Sequence, residues 1–131
     1  KTIINLRIGE DPEFSSARVQ QFPAPNSEDV YLTDLGINRK WIVEIFRFLE
    51  TSEAEPPWYI HCAAGKDRTG VVIAAILHFV GIERAIIEEE YQLSLGPLYP
   101  ELFVKTLDAF AGEDYFKKLN REAIARRLLL S

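Results

Sequence analysis

The run Val71–Val80, VVIAAILHFV, is apolar at every position except His78. A helix that is hydrophobic on nearly all sides cannot lie on a surface and has to be covered by other elements. At ten residues it is far too short to cross a bilayer, so its cover must come from the rest of the chain. Gly81 marks its C-terminal stop. Just before it stands Trp58-Tyr59-Ile60, a short β-type run, followed by a polar loop. A strand, a loop and a fully buried helix in that order imply a layered α/β arrangement.

The flanking sequence fits that frame. Thr2–Leu6 is a β-branched run that reads as a buried strand, and Val19–Phe22 is a second strand closed by Pro23 and Pro25. Between them, Asp11-Pro12 has the form of an N-cap followed by a first-turn proline, which predicts a short helix. Asn26–Asp34 reads as a polar surface loop, with Asp34 as the N-cap of the next helix. From Ile37 onward, Trp41, Ile42, Ile45, Phe46, Phe48 and Leu49 fall at helical spacing. Glu83–Ser94 predicts another helix, a third runs from Pro100 to Gly112, and a fourth spans Asp114–Leu130. The expectation is an α/β fold: a small, mostly parallel central sheet flanked by helices, with a helical C-terminal half. Trp41, Trp58 and His78 read as structural residues.

With 131 residues the chain is the size of one domain. Its single cysteine excludes an internal disulfide and a multi-cysteine zinc site. The net charge of −5 argues against nucleic acid as a partner. The charge is uneven, because the last nineteen residues carry five Lys/Arg against three Asp/Glu. Lys117, Lys118, Arg121, Arg126 and Arg127 read as the solvated face of an amphipathic helix. No signal-peptide pattern or membrane span is present, which points to a cytoplasmic protein without integral membrane contact. Because the chain lacks methionine and begins inside a strand-like stretch, it reads as a trimmed piece with an N-terminal segment out of view.

The chemistry is concentrated in His61-Cys62-Ala63-Ala64-Gly65-Lys66-Asp67-Arg68-Thr69-Gly70, between strand and buried helix. Ligands of open α/β sheets bind outside the carboxyl ends of the strands, where this loop must lie. Five residues between Cys62 and Arg68 are enough for backbone N–H groups to curl around an anion. The helix start adds further N–H groups and the positive end of its dipole. Gly65 permits a turn that a side chain would obstruct. Arg68 can hold two phosphate oxygens through paired hydrogen bonds. Such a cup lowers a thiol pKa to roughly 3.5–7.5 and leaves Cys62 a thiolate poised to attack phosphorus.

HCAAGKDRTG resembles the signature loop of the cysteine-dependent protein tyrosine phosphatases, in the form found in an atypical, mostly microbial dual-specificity branch. IINLR and GIERAIIEEEYQLS are similar to the segments flanking that loop in the branch. The resemblance implies a single phosphatase domain over residues 1–131. It implies hydrolysis of phosphate monoesters without metal or other cofactor, on a phosphorylated protein or an inositol phospholipid. It makes Cys62 the nucleophile, Arg68 the phosphoryl-binding group and Thr69 the hydroxyl that stabilises the thiolate. His61 tunes the thiol, and Ala63, Ala64, Gly65 and Lys66 donate backbone N–H groups. The general acid stays open: Asp67 first, Asp29 second, Asp34 third. Asp67 reads equally well as a brace of the loop. Arg7, at the end of the first strand, reads as an ion-pair partner or a substrate contact. Oligomeric state is not legible.

Three other functions compete. A binding module of the same fold would hold a phosphorylated ligand without turnover. Arsenate reduction needs further thiols that this chain lacks. Sulfur transfer fits the Arg-Thr-Gly ending less well than phosphate does.

Overall fold

The structure, a computed structural model, describes residues 1–25, 29–63, 67–94, 98–112 and 114–130. Three four-residue strands, β1 (Thr2–Asn5), β2 (Arg18–Gln21) and β3 (Trp58–His61), form one sheet in the order β2-β1-β3. Both pairings are parallel, and the register sets Asn5 level with Gln21 on one side and His61 on the other. The three carboxyl ends therefore finish together. Backbone bonds extend the ladder past the strands, from Leu6 N to His61 O at 2.9 Å and from Phe22 N to Asn5 O at 2.8 Å.

Among the described residues five helices complete the fold: α1 (Gly36–Leu49), between β2 and β3, then α2 (Asp67–Phe79), α3 (Arg84–Gln92), α4 (Pro100–Phe110) and α5 (Arg121–Leu130) after the sheet. The apolar helix α2 is the centre of the fold and packs against β3, α3 and α4. It buries Val71, Val72, Ala74, Ala75, Ile76 and Phe79, as its all-round hydrophobicity demands. Full burial of each larger one is worth roughly 1.5–3 kcal/mol. Gly81 takes φ 95°, and Ile82 N returns to Leu77 O at 3.0 Å, so a residue without Cβ closes the helix. In α1 the face Trp41, Ile42, Ile45, Phe46 and Leu49 is buried, as its spacing predicts. Trp41 Nε1 donates to Phe22 O, and Trp58 Nε1 to Ala54 O, both at 2.9 Å.

Four local expectations are corrected. No helix forms at Asp11-Pro12, because the Asp11 carboxylate is engaged by His61 and Arg7 instead of capping its own backbone. Asp34 is not the cap of α1; Leu35 occupies that position without a side-chain bond. Within the expected surface loop, Tyr31 and Thr33 are buried, and 26–28 lie outside the described residues. Thr106 Oγ1 donates to Tyr31 O at 2.6 Å and Tyr115 Oη to Thr33 O at 2.8 Å, which draws the segment inward. The last helix starts late: Lys118 adopts φ 69°, and Asn120 Oδ1 caps α5 by accepting from Ala123 N at 3.0 Å.

Candidate active site

β3 delivers Cys62 directly after His61, and α2 begins five residues later with Asp67, Arg68 and Thr69 in its first turn. Thr69 Oγ1 donates to Cys62 Sγ at 3.0 Å. A donor on the sulfur favours the thiolate over the thiol. Cys62, Ala63, Asp67 and Arg68 line a small cleft of about 160 Å³. Ala64, Gly65 and Lys66, expected to supply N–H groups to a bound anion, lie outside the described residues.

A larger cleft of about 390 Å³ adjoins the small one through Asp67 and Arg68, and its other walls include Asp29, Tyr31, Tyr99 and Leu102. Tyr31 Oη donates to Asp67 Oδ1 at 2.6 Å and lies 2.8 Å from Tyr91 Oη. Tyr99 N donates to Tyr91 Oη at 2.9 Å. Tyr31 has a single proton and spends it on the carboxylate, so Tyr91 must donate to Tyr31. The chain of donors thus runs Tyr99 N–H, Tyr91, Tyr31, Asp67. Burial, followed by the hydrogen bond to Asp67, raises the Tyr31 hydroxyl far above its ordinary pKa, which keeps the proton on the oxygen. Asp29 stands at the start of the same segment, where its Oδ1 accepts from Tyr31 N at 3.0 Å.

On the other side of Cys62, His61 Nε2 donates to Asp11 Oδ2 at 2.6 Å, and the imidazole stacks on Tyr59 at 5.7 Å. Asp11 Oδ1 lies 3.5 Å from the Arg7 guanidinium. Of the two readings of Arg7, the structure shows the ion pair.

A sequence model described as the tyrosine phosphatase family matches residues 4–125 of this chain. The chain belongs to the tyrosine phosphatase family. A 47-residue stretch is 43% identical to the triple specificity protein phosphatase PtpB of Mycobacterium tuberculosis, which is 36% of this chain and 17% of that protein. The matched stretch thus spans about a sixth of the length of that curated relative. The core catalytic domain of the PP-IP phosphatase SIW14 from S. cerevisiae, crystallised with citrate, superposes with a TM-score of 0.58 at 18% identity. That alignment covers 92% of this chain and 78% of the other, and it shows a shared fold. The α/β architecture and the membership of the tyrosine phosphatase family both agree with the expectations from the sequence.

The other residues singled out from the sequence fall as follows. Asp34 is exposed and lines neither cleft; it lies near enough to Tyr115 to act on that hydroxyl. It is the least well placed of the three aspartates. His78 packs between the rings of Phe110 and Phe116, at 6.0 and 5.9 Å. In the basic tail, Arg127 is not a free solvated cation: its guanidinium donates to the carbonyls of Glu50, Thr51 and Ala54, just past the end of α1. Lys117 pairs with Asp114 at 3.9 Å. The site residues missed from sequence are Asp11, Tyr31 and Tyr91. Only Asp11 carried a signal, since a carboxyl beside Arg7 after a strand is a natural ion-pair partner.

Among the described residues, no helix is long and apolar enough to cross a membrane.

Proposed function

We propose that this chain hydrolyses phosphate monoesters, phosphotyrosine first among them, through a phosphocysteine intermediate. The observation that carries the reading is the Thr69–Cys62 hydrogen bond beside a cleft that Cys62 and Arg68 both line. A hydroxyl aimed at a lone thiol, beside a guanidinium and at a helix start, is an arrangement for a thiolate facing an oxyanion.

In the first step the Cys62 sulfur attacks phosphorus, an S–P bond forms, and the ester P–O bond breaks. The leaving oxygen takes a proton from a carboxyl group of the larger cleft, Asp67 first and Asp29 second. In the second step water attacks the phosphocysteine, its proton returns to that carboxylate, and phosphate leaves. Thr69 steadies the thiolate as it departs. Arg68 holds the equatorial oxygens throughout. The charge on the phosphoryl group is met by protein groups, so no cofactor is required.

Phosphotyrosine is favoured because the exposed Tyr99, whose ring meets buried Tyr31 edge-on at 5.9 Å, lines the same cleft as Arg68 and offers an aromatic face to an aryl ester. Phosphoserine, phosphothreonine and inositol phospholipid headgroups are the substrates to compare with it. A reducing compartment such as the cytoplasm suits a catalytic thiolate.

The test is release of p-nitrophenol from p-nitrophenyl phosphate in excess EDTA, for the wild type and Cys62→Ser together. Activity that survives chelation and vanishes in the serine variant is expected. Turnover by Cys62→Ser would overturn the nucleophile, and an inactive wild type that still binds phosphate would leave a binding module.

A further inference from the structure

The loop that follows β1 is held by more bonds than a surface turn needs. Asn5, fully buried at the end of β1, donates through Nδ2 to Gly9 O at 2.8 Å and accepts from Arg7 N at 2.8 Å. Gln21, level with it on β2, donates through Nε2 to Arg7 O at 2.9 Å and Ile8 O at 2.8 Å. The Arg7 guanidinium reaches Glu10 O at 3.2 Å. Together these bonds set the carboxylate of Asp11, with only 9% of its side chain exposed, against the ring of His61. Its two oxygens are divided between Arg7 and His61. A carboxylate taken this far out of water is tolerated only when paired and hydrogen-bonded.

From this geometry we infer that Asp11 is a positioning residue of the active site, which fixes the His61 imidazole and through it favours the Cys62 thiolate. An ionised carboxylate only accepts, so Nε2 of His61 must carry the proton that points to it. Tied to the carboxylate at Nε2 and stacked on Tyr59, the ring is held in one orientation directly before Cys62 in the chain. Among the described residues, the titratable or charged groups facing the ring are Asp11, Arg7 behind it and the stacked Tyr59, with Cys62 adjacent. The inference rests on Cys62 being the nucleophile. The simpler alternative is that Asp11 merely ties the loop to β3.

The experiment is the rate of Cys62 alkylation by iodoacetamide between about pH 5 and 9, followed by mass spectrometry. Cys62 is the sole cysteine, so each adduct reports on it. Asp11→Asn should move the midpoint of the profile upward by about one pH unit, that is, about tenfold slower alkylation well below the midpoint. Asp11→Glu should keep the midpoint near that of the wild type. His61→Gln should match Asp11→Asn, and the double variant should move no further, because both act through one ring. An unchanged midpoint in Asp11→Asn, whatever its melting temperature, would reduce Asp11 to a brace. So would shifts that add in the double variant. If Asp11→Asn does not fold, His61→Gln compared with Asp11→Glu decides: a raised midpoint in the first and a near-native one in the second support the inference, and equal midpoints overturn it. Alkylation does not require ester turnover. A wild-type midpoint near 8.5, the ordinary thiol value, would therefore count against the catalytic thiolate itself and be distinct from a failure at Asp11.

Discussion

Tyr31 Oη donates to Asp67 Oδ1 at 2.6 Å across thirty-six positions of sequence, and it does so from a buried ring. The hydroxyl fixes one oxygen of the carboxyl group that adjoins both clefts. Removing it should leave Asp67 free to change rotamer and Tyr91 Oη without its acceptor. Tyr31→Phe should lower kcat about three- to tenfold with little change in KM, and cost about 1–3 kcal/mol of stability for the unpaired buried group. Steady-state kinetics and urea denaturation read the two effects separately.

The two aspartates of the larger cleft separate by leaving group. Loss of a general acid costs on the order of 10²–10⁴ in rate. It weighs most on esters whose leaving oxygen is poor. Asp67→Asn should therefore depress turnover of phenyl phosphate far more than that of p-nitrophenyl phosphate, and Asp29→Asn should depress both about equally and mildly. The reverse pattern would transfer the role to Asp29.

Thr69→Val keeps the volume of the side chain and removes the donor to Cys62 Sγ. Hydrolysis of the phosphocysteine should become the slow step, visible as a burst of p-nitrophenol followed by turnover about tenfold or more below wild type. Thr69→Ser should show no burst.

His78 reports on stability. Burial among aromatic rings, the larger influence, lowers its pKa, against an opposing backbone hydrogen bond at Phe110. A base whose folded pKa is depressed binds more protons when unfolded. Its contribution is complete above the ordinary histidine value of about 6.5 and declines as pH falls below it. Thermal melts between about pH 7.5 and 5 should show this decline. His78→Gln should be less stable at neutral pH but should lose less on acidification.

Much of this fold and part of its site are local in origin and were therefore legible. Strands, the buried helix and its stop at Gly81 follow from short-range pattern and backbone preference, and Cys62, Arg68 and Thr69 stand within eight residues. What escaped depends on distant partners. Asp11 looked like a cap because Pro12 follows it, yet its carboxylate turns to His61, fifty residues away. Tyr31 sits in a polar stretch, and its burial follows from partners far along the chain, Asp67, Tyr91 and Thr106. Arg127 appeared to belong to a solvated charge run because the carbonyls it meets lie more than seventy positions earlier.

The level finish of the three strands has an engineering consequence. Asn5, Gln21 and His61 share one rung, and from that rung leave the loops that carry Asp11 and Cys62. Lengthening the turn between Thr51 and Pro57 by a residue should leave the rung intact. Adding one residue inside β1 instead would turn Asn5 to the opposite face and carry the Asp11 loop away from the thiol, because strand side chains alternate. The tolerance of this fold to insertions is therefore set by which side of a single rung they fall on.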